Sequence, residues 1–267
     1  MILAVSNQKG GVGKTTTVVN LAAMLGRRGF GCLVVDMDPQ GNATSGFGVT
    51  PQDYEASAYE ALLERVPFSE VILSTDFHVD IVPSDPDLAG AELELVSVMG
   101  RESRLAGLLE EVKGKYDYII IDTPPTLGLL TVNALTAASE LLVPLQCEYY
   151  ALEGLSQLLK TVELIHLRLN PELNFLGIVL TMFDKRNNLS HQVAEEIDRH
   201  FPNKVLKTVI PRNIKLSEAP SFGSPVFWHD ANSTGSKAYT QLAEEFIQLE
   251  QIVDCSTSGV EEDEVHA

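Results

Sequence analysis

Positive charge is scarce in this chain. Of 267 residues only 19 are Lys or Arg, against 37 Asp or Glu, for a formal charge of −18. That balance excludes a protein that coats nucleic acid with its mean surface, and it excludes a polybasic anchor on an anionic membrane. Cysteine is equally sparse. Cys32, Cys147 and Cys255 stand far apart, with no Cys-x-x-Cys pair and no His cluster at metal-ligand spacing, which suits a reducing, cytoplasmic setting. Long apolar runs are missing too. The opening run covers only residues 2–5, too short for a signal-peptide core. The longest uncharged run, residues 123–139, carries Pro124, Pro125, Asn133 and several Thr, so it cannot serve as a span of about 20 apolar residues. A soluble cytoplasmic protein is expected.

What is present is ordinary globular material, 45% hydrophobic and 21% charged. Its length suits one large α/β domain. Short apolar runs at residues 2–6, 31–36, 79–83, 118–122, 141–145, 175–181 and 205–210 read as strands. They alternate with segments of helical period at 15–28, 56–65, 88–98, 101–113, 155–169, 189–200 and 237–252. Several strand runs are apolar throughout, which predicts a mostly parallel, twisted sheet with helices on both faces. Residues 1–252 read as one domain and residues 253–267 as an acidic, disordered tail. The charge is unevenly spread: −12 over residues 1–180, +2 over 181–240 and −8 over 241–267. Five basic residues and no acid lie between Arg199 and Ser217.

The most informative segment follows the first strand: Gln8-Lys9-Gly10-Gly11-Val12-Gly13-Lys14-Thr15-Thr16. Glycines at 10, 11 and 13 allow a tight wrap whose amides point inward as a nest for phosphate oxygens, and the helix that follows adds its positive end. This is the P-loop of an NTPase. Lys14 is placed to reach the β- and γ-phosphates and the Thr15 hydroxyl to coordinate Mg²⁺. Two further blocks agree. Asp36 and Asp38 end the second strand at i and i+2, on the same side of extended backbone. There one carboxylate can support Mg²⁺ through water and the other can orient an attacking water. The apolar run Tyr118-Ile119-Ile120-Ile121-Asp122 reads as a Walker B strand, with Asp122 beside Thr15 holding Mg²⁺ through water.

The lysine at position 9, five residues before Lys14, departs from the standard P-loop. It resembles the deviant K-G-G-x-G-K-[ST] loop of the ParA and MinD superfamily of ATPases. The resemblance covers residues 2–252 and is closest to chromosomal ParA proteins of the Soj type. Supporting blocks run from Pro144 to Gly154, from Thr181 to Arg186 and from Ile210 to Pro220. The resemblance implies a homodimer with ATP sandwiched between subunits, in which Lys9 crosses to the other subunit's phosphates and Glu148 contacts the partner. It gives Asp38 the water-orienting role, with Asp36 supporting Mg²⁺ through water. Pro211 and Asn213 are implied as adenine contacts. Arg212, with Lys185, Arg186, Lys215 and Lys237 as neighbours, is implied as a strip that binds DNA non-specifically. A ParB-like partner would stimulate hydrolysis, and the protein would sit on the nucleoid.

Other branches fit less well. A membrane-bound MinD needs a basic amphipathic C-terminal helix, and no Lys or Arg follows Lys237. An iron-sulfur relative needs cysteines near the Walker B loop, and residues 116–128 contain none. A plasmid ParA with an N-terminal helix-turn-helix domain is not expected with a P-loop starting at residue 8. A positioner of protein cargo and a nucleotide-dependent scaffold with negligible turnover share the same motifs, so both remain open at this point.

Overall fold

The apolar runs form the strands of a single sheet in the computed structural model, which describes residues 1–148 and 151–258. In chain order they are β1 (Ile2–Val5), β2 (Cys32–Asp36), β3 (Leu73–Ser74), β4 (Asp80–Val82), β5 (Tyr118–Asp122), β6 (Glu140–Gln146), β7 (Asn174–Phe183) and β8 (Val205–Pro211). The sheet order is β3-β4-β2-β5-β1-β6-β7-β8. Pairing is parallel except between β3 and β4. The two-residue β3 escaped the sequence reading because so short a strand carries no period.

The helices are α1 (Lys14–Arg27), α2 (Asn42–Gly46), α3 (Ala58–Leu62), α4 (Leu88–Glu94), α5 (Arg104–Glu110) and α6 (Leu129–Ala137), followed by α7 (Ala151–Arg168), α8 (Asn188–His200), α9 (Ile214–Glu218), α10 (Val226–His229) and α11 (Thr234–Ser258). Ser57 and Glu60 close a capping box that starts α3, so this helix begins after the expected residue 56. α6 lies inside the uncharged run that gave no helical signal. Its buried residues include Leu130, Thr131, Asn133, Ala134, Leu135 and Thr136, nearly consecutive, so no apolar stripe marks it. α11 runs on to Ser258, past residue 252 where the tail was expected to begin; residues 259–267 of that expected tail lie outside the described residues.

Side chains leave each strand alternately to two faces. Leu3, Val34 and Ile120 join α1 and α11 in one core, which includes Leu21, Leu25, Tyr239 and Phe246. Leu33, Val35, Ile119 and Ile121 meet α3 to α6 on the other face. Ala4, Leu141, Val143 and Ile178 meet α7 and α8 there. Burial of both faces explains why these strands are apolar throughout. At the β8 edge, the Glu245 carboxylate of α11 accepts hydrogen bonds from the Lys207 and Thr208 amides at 2.7 and 2.8 Å, which blocks pairing by another strand.

The chain leaves β1 toward β2 on one side, and leaves β5 toward β6 on the other. A crevice therefore opens at the carboxyl ends of β5, β1 and β6, where open α/β sheets bind ligands. Register sets its floor: Asp36 and Asp122 are direct partners across β2 and β5, and Val5 pairs with Asp122 from β1.

Candidate nucleotide site

Residues 6–13 turn from β1 into α1 over this crevice. Gly11 and Gly13 have φ of 74° and 91°, a conformation strained for any residue with a Cβ, so glycine is required at both. The loop is pinned from behind. Thr181 Oγ1 of β7 donates to the Val12 carbonyl at 2.7 Å, and Thr17 Oγ1 donates to the Gly13 carbonyl at 2.7 Å. Asn7 accepts from the Lys9 amide at 3.0 Å and donates to the Pro144 carbonyl at 2.8 Å. Val12 itself is buried, so it contributes backbone to the cradle.

A cavity of about 460 Å³ lies against this loop, lined by Gly10, Gly11, Gly13, Lys14, Thr15 and Thr16 together with Asp38, Gln40, Asn42 and Pro125. Lys14 is only 6% exposed, and its Nζ donates to the Lys9 carbonyl at 3.4 Å. Burial pulls its pKa below the usual lysine value, opposed by the nearby Asp122 and Asp38 carboxylates. An ammonium held this way lacks partners that phosphate oxygens would supply.

The three acids differ sharply in what holds them. Asp36 is fully buried and accepts from the Asp38 amide at 3.1 Å, the Thr44 amide at 2.9 Å and Thr44 Oγ1 at 2.8 Å. Burial raises its pKa to about 6 despite these bonds. Asp38 is 7% exposed, and its Oδ1 accepts from the Gln40 amide at 3.0 Å. Asp122 is 0% exposed, and neither carboxylate oxygen has a hydrogen-bond partner. Burial, then the Asp36 charge, push its pKa well above the ordinary carboxylate value, while Thr15 and Lys14 nearby act the other way. A buried carboxylate with two orphaned oxygens is costly unless a cation meets it. That is the fit expected for Mg²⁺ at this place. The donor set also suits it: hard oxygens, few protein ligands, and room for water and phosphate. No cluster of three or more His, Cys, Asp or Glu is placed to hold a metal among the described residues.

Lys9 is exposed, and its ammonium pairs with Glu148 of the same chain. Both residues were expected at a subunit contact; here they meet each other across 139 positions of sequence. Tyr149 and Tyr150, part of the same expected block, lie outside the described residues.

A second cavity of about 230 Å³ shares Gly13, Thr16, Met182, Leu216 and Pro220 with the first and adds Pro211, Arg212 and Asn213. The expected adenine contacts therefore line a compartment continuous with the phosphate cradle. Asn213 is already partly engaged, since its Oδ1 caps α9 through the Lys215 amide at 2.9 Å and its Nδ2 donates to Thr234 at 2.8 Å. Met182, between the two cavities, has φ of 49°. Neither it nor Thr44, Asn20 and Ser45 was singled out from sequence; a positive φ at a methionine leaves no sequence mark.

The expected basic strip gathers at the carboxyl ends of β7 and β8. Lys185, Arg186, Arg212 and Lys237 are exposed and Lys215 is half-buried. Arg186 pairs with Asp184 at 3.1 Å and Lys215 with Glu218 at 2.8 Å. Arg212 stands near Asp184, and the Asn213–Thr234 bond brings the first turn of α11, with Lys237, alongside.

Known proteins match this arrangement along nearly the whole chain. Residues 1–175 match the family model described as an AAA domain. The sporulation initiation inhibitor protein Soj of Bacillus subtilis is 54% identical over 91% of this chain and 97% of its own length. The chromosome partitioning protein ParA of Myxococcus xanthus is 52% identical over 92% of this chain and 88% of its own. Among solved structures, a cobyrinic acid a,c-diamide synthase from Mycobacterium smegmatis, with an ATP analogue and magnesium bound, superposes with a TM-score of 0.82. It is 38% identical, over 94% of this chain and 95% of that one.

Proposed function

The chain belongs to the Soj/ParA family of chromosome-partitioning ATPases, and from that premise we propose a cycle in which ATP joins two copies and the pair holds DNA until a ParB-like partner triggers hydrolysis. ATP and Mg²⁺ are its substrate and metal. The observation that carries the residue roles is the orphaned Asp122 carboxylate, buried at the end of β5 near Thr15 and Lys14. Mg²⁺, when bound, neutralises charge developing on the β- and γ-phosphates.

The chain's own groups do the rest. The amides of residues 10–16 cradle the phosphate oxygens, and Lys14 adds a buried positive charge worth more there than in water. Thr15 and Asp122 hold the metal, Asp122 through water. Asp38 orients the attacking water: the Gln40 amide fixes one oxygen and leaves the other to accept. Asp36, engaged by Thr44 and the Asp38 amide, would support Mg²⁺ through water. Pro211 and Asn213 contact adenine. Lys9 exchanges Glu148 for the other subunit's phosphates, which frees Glu148 for the subunit contact.

Arg212, Lys185, Arg186, Lys215 and Lys237 contact DNA phosphates. Such contacts carry no sequence preference, and one copy supplies few of them, so pairing by ATP doubles them and switches affinity. A cytoplasmic protein that gathers on the nucleoid results. No helix among the described residues is long and apolar enough to cross a membrane.

Sizing the protein with ADP and with ATP, alone and with DNA, tests the cycle. Asp38→Ala should pair on ATP, retain DNA and release no phosphate, whereas the unaltered chain should release phosphate faster once DNA and a ParB-like protein are both present. ATP-independent size, or unaltered phosphate release in Asp38→Ala, would refute it.

A further inference from the structure

The sheet stops short of Asp38. β2 ends at Asp36, and beyond it the Met37 amide still reaches the Asp122 carbonyl of β5 at 3.0 Å, but the Asp38 amide turns instead to a side chain, Asp36 Oδ1, at 3.1 Å. Loop backbone is ordinarily the more mobile part of a fold, whereas a group that orients a reacting water must be held to a fraction of an ångström. Something other than the ladder has to hold Asp38. Parallel pairing sets Val82 of β4 beside Val35 of β2, so Ser84, two residues past β4, arrives next to the turn that contains Asp38. There its hydroxyl donates to the Asp38 carbonyl at 2.8 Å.

The contacts close into a ring. The Ser84 amide donates to Thr44 Oγ1 at 2.9 Å, Thr44 Oγ1 donates to Asp36 Oδ2 at 2.8 Å, and Asp36 returns to the Asp38 amide. Asp38 is thereby fixed at its amide and its carbonyl together. The Gly41 amide adds a second bond to that carbonyl at 2.9 Å, and the turn packs so closely on the exit of β4 that a Cβ on Gly41 would lie 2.9 Å from the Ser84 carbonyl oxygen. Ser84 is 2% exposed and Thr44 4%, so water has little access to replace either hydroxyl, and its loss leaves buried partners unmatched. Of the four residues in the ring only Asp38 lines the nucleotide cavity.

We propose that Ser84 and Thr44 are positioning residues for hydrolysis: their hydroxyls close the ring that holds the Asp38 backbone, so that the free carboxylate oxygen of Asp38 faces the attacking water. This rests on the water-orienting role of Asp38 given above. Neither hydroxyl reaches the P-loop, since the hydrogen bonds of Ser84 and Thr44 run to Asp36 and Asp38 and to each other. Opening the ring should therefore slow the chemical step while ATP, held by the P-loop amides and Lys14, binds as before.

The test is phosphate release by the full chain, with DNA and a ParB-like protein present, read against ATP concentration. Ser84→Ala should lower kcat about tenfold and leave the KM for ATP within about twofold of the parent. Ser84→Thr, which returns the hydroxyl, should recover most of that loss. Thr44→Val should lower kcat too, and Ser84→Ala/Thr44→Val should lose no more than the worse single variant, because either change opens the same ring. Asp38→Ala separates this proposal from the reading it rests on. If Asp38→Ala releases phosphate as the parent does, Asp38 orients no water and both fall. If Asp38→Ala is inactive while Ser84→Ala keeps the parent's kcat, the ring proposal alone is overturned. It is overturned as well if Ser84→Ala raises KM as much as it lowers kcat, if Ser84→Thr does no better than Ser84→Ala, or if the losses in the double variant simply multiply.

Discussion

Two rims of the same sheet carry ionic groups at the carboxyl ends of adjacent strands, and they are built in opposite ways. At β2, β5 and the start of α1, Lys14, Asp36, Asp38 and Asp122 are all at most 7% exposed. At β7, β8 and α9, the basic groups are exposed or, for Lys215, half-buried, and two of them rest on neighbouring acids. Charge held out of water interacts strongly and is costly when unmatched; charge in water is screened and each pair counts for little. The first rim should therefore respond to single changes with large effects and be completed by a ligand. The second should work only by addition and should fade with salt.

The sharpest way to break this contrast is Asp122→Asn. With Asp122 in the proposed role of meeting Mg²⁺ through water, its removal should lower metal affinity or turnover by roughly 10- to 100-fold. The same change should raise the thermal midpoint of the ligand-free chain. An acid whose folded pKa is raised takes up protons on folding, so its stability contribution falls as pH rises through the folded value. Asn has no charge to bury, so the gain over the parent should grow as pH rises above the ordinary carboxylate range. If scanning calorimetry shows a lower midpoint at every pH, the buried rim is not strained and the comparison fails.

Asp36 gives a smaller effect with a defined window. Its pKa rises from 3.8 to about 6, so the folded chain binds more protons than the unfolded chain between those values. Its contribution to stability is thus lost as pH climbs from about 4 to about 6, by roughly 3 kcal/mol at most. Denaturant melts of the ligand-free chain and of Asp36→Asn across that range, taken as a difference, should show this slope in the parent only. Parallel curves would mean that the Thr44 hydrogen bonds already offset burial.

How far the sequence foretold these rims follows from what each rests on. The apolar runs and the glycines of the phosphate loop act locally, through pleat, burial and φ, so they were legible. Asp122 was legible because a strand run ends on it. Other features are products of packing between distant segments: the Lys9–Glu148 pair, the grip of Thr44 on Asp36, and the left-handed backbone at Met182. α6 was hidden because burial on nearly all sides erases the helical period, and β3 because two residues have none. The helix running on to Ser258 crosses a boundary drawn from composition alone, which registers acidity but not the apolar face that α11 lays on the sheet.

The weakest effects belong to the exposed rim, and they discriminate best between its members. Arg212 is exposed and forms no salt bridge among the described residues, whereas the Lys215 ammonium rests on Glu218 at 2.8 Å and must leave it to meet a phosphate. In the ATP-trapped Asp38→Ala background, Arg212→Ala should weaken DNA retention about tenfold, and the slope of log affinity against log salt should shrink by about 0.9 for each phosphate no longer neutralised. A dimer gives up one such phosphate per subunit, which roughly doubles that change. Lys215→Ala should cost about twofold or less, because the lysine's gain on DNA is offset by the bond it gives up and the acid it leaves behind. If Lys215→Ala proved the more damaging of the two, then DNA would be drawing the lysine from Glu218 with energy to spare. The exposed rim would then share the strong electrostatics reserved here for the buried one.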